Sequence, residues 1–136
     1  MQVAGDPEWT YAYGRLWAVT IPEPRVFADQ WIRAWNARDV ETVLAWYADD
    51  VVFTSPTAAR VVPSSGGTVR GKTALREYWT LALEGHPNLH FELLGVYAGI
   101  DTIALHFRNH SGGLVTEVLT FQDGLVAVGH ATHLQQ

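Results

Sequence analysis

The chain has 136 residues, 48% hydrophobic and 12% aromatic, enough for one buried core and too apolar for a disordered segment. A net charge of -5 without a basic block argues against nucleic acid and against an anionic membrane surface, since both select clustered Lys and Arg. There are no cysteines, hence no disulfide or thiol chemistry, and no apolar run approaches the roughly 18 residues of a membrane span. The start, "MQVAGDPEWTYAY", lacks the basic-then-apolar order of a signal peptide, so a soluble, cytoplasmic protein is expected.

Residues 1–24 read as an aromatic N-terminal arm. Trp9, Tyr11, Tyr13, Arg15, Trp17, Val19 and Ile21 recur every second residue. That spacing fits an extended segment with one heavy face, or else a short helix plus a loop. The arm is expected to pack on the domain or on a partner subunit, or to serve as an aromatic lid. Pro22 and Pro24 end it. The domain proper is expected over 25–136. Phe27, Trp31 and Trp35 fall four apart on a first helix, broken by "NARD". Asp39 is a suitable N-cap for a second helix, where Val40, Val43, Leu44 and Tyr47 share a face. "VVFTSP" (51–56) reads as a short strand stopped by Pro56. The connection 57–70 has the length of a functional lid or of a loop holding a short strand. A third helix follows Gly71, with Leu75, Tyr78, Trp79 and Ala82 on one face. Strands are expected at 89–98, 101–110, 114–122 and 125–134. Short links make them antiparallel neighbours in a single α+β domain.

The last two strands carry the chemistry. Asp123-Gly124 is a two-residue turn signal. With that turn Gln122 pairs with Leu125, and Glu117 pairs with His130. A three-residue loop that also uses Gln122 would set Glu117 against Gly129 instead. In the direct pairing, Val115, Glu117, Leu119, Phe121, Val126, Val128, His130 and Thr132 share the face toward the helices. A Glu–His pair inside an apolar concavity would titrate as a unit and serve as general acid and base, or would only hold strand register. In the preceding turn, a Ser111-Gly112-Gly113 loop puts Glu117 against Phe107 and makes Ile103, Leu105, Phe107 and Asn109 the buried face. A Gly112-Gly113 loop puts Glu117 against Arg108. Apolar alternation favours the former, which sends His106, Arg108 and His110 outward.

"WNARDVETVLAWYADDVVFTSP", then "VRGKTALREYW" and a terminal strand meander, resembles the nuclear transport factor two-like superfamily, and within it the SnoaL-like polyketide cyclase and ketosteroid isomerase branch. The resemblance covers about residues 25–134. It implies a cone-shaped, bent antiparallel sheet wrapped around three N-terminal helices, an apolar pocket and a homodimer. It also implies a cofactor-free isomerase, cyclase or dehydratase acting on an apolar oxygenated small molecule, such as a polyketide, steroid or terpenoid. The alternative it carries is a non-catalytic binding or structural module, because this fold hosts both. Carried over by position, Glu117 matches a protonated acid of the isomerases, a neutral carboxyl that donates to an oxyanion as ketosteroid isomerase illustrates. His130 matches the last-strand aspartate of the cyclases. Ser55 stands where isomerases hold their general-base aspartate, and Trp31 where they hold an oxyanion-donating tyrosine. Phe107 replaces an arginine of the epoxide hydrolases.

The expected catalytic residues are therefore Glu117 and His130. The expected substrate-binding residues are Trp31, Trp35, Tyr47, Phe53, Ser55, Trp79, Phe107, Asn109 and Leu119. The remaining histidines show no ligand spacing, so no metal site is expected.

Overall fold

The computed structural model describes residues 21–136, so the expectations for the arm before Ile21 lie outside the described residues. Helix α1 (Pro24–Asn36) begins where Glu23 accepts a hydrogen bond from the Val26 amide at 2.7 Å and Pro24 presets the first turn. It buries Phe27, Ala28, Trp31, Ala34 and Trp35. After the break, Asp39 accepts from the Thr42 amide and caps α2 (Val40–Leu44), as expected. That helix is shorter than the pattern suggested. Tyr47 begins strand β1 (Tyr47–Thr54), because pairing with the last strand claims its backbone before another helical turn can form.

The connection after β1 contains a further helix, α3 (Pro56–Val61), a 3₁₀ turn (Pro63–Ser65) and strand β2 (Thr68–Arg70). The described residues thus form four α-helices, where three were expected. Ser55 and Pro56 explain the extra one, as N-cap followed by a proline in the first turn. Helix α4 (Lys72–Gly85) buries Leu75, Tyr78, Trp79, Ala82 and Leu83. Strands β3 (Glu92–Ala98), β4 (Thr102–Arg108), β5 (Leu114–Gln122) and β6 (Leu125–His133) complete the chain, close to their expected bounds. Among the described residues no helix is long and apolar enough to cross a membrane.

The six strands form one curved, unclosed sheet in the order β2-β1-β6-β5-β4-β3. Its pairings are antiparallel except β1 with β6, which is parallel. The helices lie in its concavity over an aromatic core in which Trp31, Tyr47 and Phe107 are fully buried. Edge-to-face contacts at 4.9 Å (Trp35–Trp79) and 5.1 Å (Tyr47–Trp79) tie α1, β1 and α4 together. Asn36 clamps the approach to β3, donating to the Phe91 carbonyl and accepting from the Phe91 amide. Arg38, at positive φ, donates to the carbonyls of Leu83 and His86 and so fixes the end of α4.

The β5–β6 register corrects the expected pairing. The turn is as expected: Asp123 and Gly124 both have positive φ, and Gln122 pairs with Leu125 and Phe121 with Val126. A bulge then intervenes, since Thr120 pairs with Val128 and Ala127 is left over. From there on every β6 side chain changes face. Glu117 pairs with Ala131, and His130 pairs with Val118 and points outward. Gly129 now faces inward. A Cβ on it would lie 2.9 Å from Phe53 Cδ1 and 3.1 Å from Leu119 Cδ2, so the bulge brings in a position where only hydrogen fits easily. The β4–β5 link spans residues 109–113, longer than either loop considered. Glu117 faces Leu105, and the inward set Ile103, Leu105 and Phe107 is as expected.

Candidate functional site

A cavity of about 300 Å³ opens between the helices and the concave sheet. Trp35, Phe53, Tyr78, Trp79 and Phe107 line its buried part, with Glu117 among them. Glu117 reaches this position by alternation along β5, where Val115, Glu117, Leu119 and Phe121 all point inward. Its small partner Ala131 leaves room beside the carboxyl, whereas an imidazole opposite would have filled it.

Glu117 is 8% exposed, and its Oε1 has no hydrogen-bond partner among the described residues. Burial pushes its pKa up from an ordinary 4.5 to about 8, so the carboxyl is mostly protonated at neutral pH. Nearby, the Tyr78 hydroxyl and Ser55 Oγ are hydrogen-bonded to each other at 3.2 Å, and either can be the donor. Burial, with the Glu117 charge as a smaller contribution, moves Tyr78 up to about 12. Ser55 Oγ also accepts from the Thr57 amide at 3.1 Å, so it holds helix and tyrosine together. Trp35 Nε1 is a second buried polar atom without a hydrogen-bond partner among the described residues. The cavity therefore offers a neutral acid, a paired hydroxyl donor and a free indole N–H on aromatic walls.

Seven of the expected site residues line the cavity: Trp35, Phe53, Ser55, Trp79, Phe107, Asn109 and Glu117. Asn109 is also structural, its Oδ1 accepting from the amides of Ser111 and Gly113 to shape the β4–β5 turn. Trp31, Tyr47 and Leu119 are fully buried and are not among the lining residues. Trp31 Nε1 donates to the Tyr47 hydroxyl at 3.1 Å, so its indole N–H already has an acceptor in the core. Burial, then the Glu117 charge, holds that hydroxyl well above its usual pKa. His130 does not line the cavity. It lies exposed on the outer face, with Nδ1 2.6 Å from Thr54 Oγ1, because the bulge turned it away from Glu117.

Several lining residues were not expected: Arg60, Tyr78, His86, Phe91, His110 and His133. Tyr78 and His86 had a readable signal, since Ala82 and His86 continue the buried face of α4 at four-residue spacing. His86 Nδ1 donates to the Ala82 carbonyl at 2.7 Å. His110 was expected outward, yet the longer turn carries it to the opening, where its ring meets His86 at 5.7 Å. His133 is brought inward by the same bulge that expels His130.

The SnoaL-like domain family matches residues 28–129, which include β1 and the whole of β5. The chain belongs to the SnoaL-like family. Among solved structures, a SnoaL-like protein of unknown function from Burkholderia thailandensis is 36% identical, over 83% of this chain and 100% of that one, with a TM-score of 0.76. A putative polyketide cyclase from Sinorhizobium meliloti shares the fold at 15% identity, covering 97% and 100% of the two chains, with a TM-score of 0.63. TerC, co-crystallised with polyporic acid, does so at 16% identity, covering 82% and 92%, with a TM-score of 0.67. No functionally curated protein matches this SnoaL-like chain.

Proposed function

We propose that this SnoaL-like protein binds an apolar, oxygenated small molecule in the cavity. Glu117 would move a proton on it in a cofactor-free isomerisation, cyclisation or dehydration. The observation that carries this reading is a buried carboxyl at the cavity wall with one oxygen unpartnered among the described residues. A core carboxyl kept only for structure would have its oxygens satisfied. A carboxyl with a pKa of about 8 is poised to give and retake a proton near neutral pH. In its neutral form it gives its proton to a ligand carbonyl oxygen. The resulting carboxylate then accepts a proton from the adjacent carbon, whose C–H electrons form the C=C bond of the enol and restore the neutral acid. Tyr78, paired with Ser55, offers a second donor to the same oxygen. The likeness to a putative polyketide cyclase, and to a fold relative crystallised with polyporic acid, supports a ligand of this kind.

A second reading, a non-catalytic binding module, draws on Ser55. Its oxygen is committed to the Thr57 amide and to Tyr78, which leaves no group acting as base there. Solvent-deuterium exchange into the carbon next to the carbonyl of 1-tetralone, followed by NMR, separates the two. The enzyme reading expects acceleration by the wild type that falls about 10²–10⁴-fold in Glu117→Gln. Binding of 1-tetralone with equal exchange in both proteins would establish the module instead.

A further inference from the structure

The opening of the cavity differs in charge from its interior. Among the described lining residues Glu117 is the only acidic one. Around the opening stand Arg60 of α3, His86 after α4, His110 of the β4–β5 turn and His133 at the end of β6. Four separate elements thus bring cationic or cationisable side chains to one place. Arg60 is exposed and has no carboxylate partner among the described residues. The ion pairs there are Lys72–Asp49, Arg76–Glu41 and Arg108–Glu92. Its field nevertheless reaches inward. It is a minor cause lowering the Tyr78 pKa, and it acts on His133, whose pKa is lowered first by burial and then by Arg60. Among the described residues no three His, Asp or Glu side chains gather as a metal site would require, so the imidazoles do not form a cation cage. An unpaired guanidinium beside an apolar cavity has the planar donor fork that a carboxylate accepts.

We infer that the cavity takes an amphiphile whose apolar body lies among the aromatic side chains and whose carboxylate is held at the opening by Arg60, amid His86, His110 and His133. This rests on reading the cavity as a ligand site and narrows its ligand to an apolar carboxylic acid. The interior tolerates such a molecule because Glu117 is itself mostly uncharged at neutral pH and does not repel it.

The test uses two probes with the same ring system, 2-naphthoate and 2-naphthalenemethanol, titrated calorimetrically at pH 7. Wild-type protein should bind the acid about tenfold more tightly than the alcohol. Arg60→Gln should abolish that preference while leaving alcohol affinity within about twofold. Arg60→Lys should retain part of the preference, since it keeps the charge and loses the fork. Equal binding of both probes by the wild type, or an unchanged preference in Arg60→Gln, overturns the inference and leaves the cavity reading standing. Binding of neither probe overturns both.

Discussion

On the inner face of the β5–β6 hairpin a carboxyl is buried with an oxygen that has no hydrogen-bond partner among the described residues. On the outer face, a single strand away, an imidazole is exposed and hydrogen-bonded. Glu117 meets apolar walls, and its proton affinity rises because water is gone. His130 meets Thr54 and keeps its solvent. The two residue types suit proton transfer equally well in the abstract. The difference teaches that a side chain's environment here is set by the face of the sheet, and that for the far half of β6 the face is set by one extra residue.

The sharpest way to break the comparison is Glu117→Gln. A carboxyl titrating near 8 in the fold and near 4.5 when unfolded binds more protons in the native state between those values. Its contribution is therefore fully present below pH 4.5 and is lost as pH rises through 8. Removing the ionisable group should leave stability nearly unchanged at pH 4.5. At pH 9 the variant should be more stable than wild type by several kcal/mol, on the order expected for such a shift. Urea melts across that range check it, and a variant uniformly weaker at every pH would mean Glu117 ionises normally. Gly129→Val tests the face assignment itself. Its side chain would enter Phe53 and Leu119, costing about 1–3 kcal/mol, whereas an outward Gly129 would tolerate it. Tyr78→Phe removes the hydroxyl shared with Ser55, so a loss of about 1 kcal/mol is expected in the same melts. His130→Ala should move Tm by about 3 °C or less. It should also leave the Glu117 titration, followed by carboxyl carbon NMR, near pH 8; a displaced midpoint would restore the Glu–His pair.

Much of this was legible from the chain. Asp123-Gly124 announced its turn, Asp39 its helix, and the alternation along β5 put Glu117 inside. Each of those signals is local, a turn chemistry or a period. The bulge is not local. Val126, Ala127 and Val128 are three small apolar residues with no glycine or proline among them, so nothing in the run marks Ala127 as the extra one. It is decided by packing, because Gly129 fits against Phe53 where a larger residue would not. The opening was hidden for the same reason. Arg60 lies in a connection that reads as loop, and His110 and His133 face the cavity only once loop length and bulge are known.

The bulge also bears on how a site of this type is inherited. Positions between the turn and Ala127 count from the turn, while those beyond it count from the far end of the strand. Were the same strand to pair without the bulge, Val128, His130 and Thr132 would replace Gly129, Ala131 and His133 on the concave side. All the chemistry that β6 presents would change without one substitution. Divergence in this fold can therefore proceed by register as readily as by identity, and two chains with the same residues in β6 need not present the same residues to a ligand.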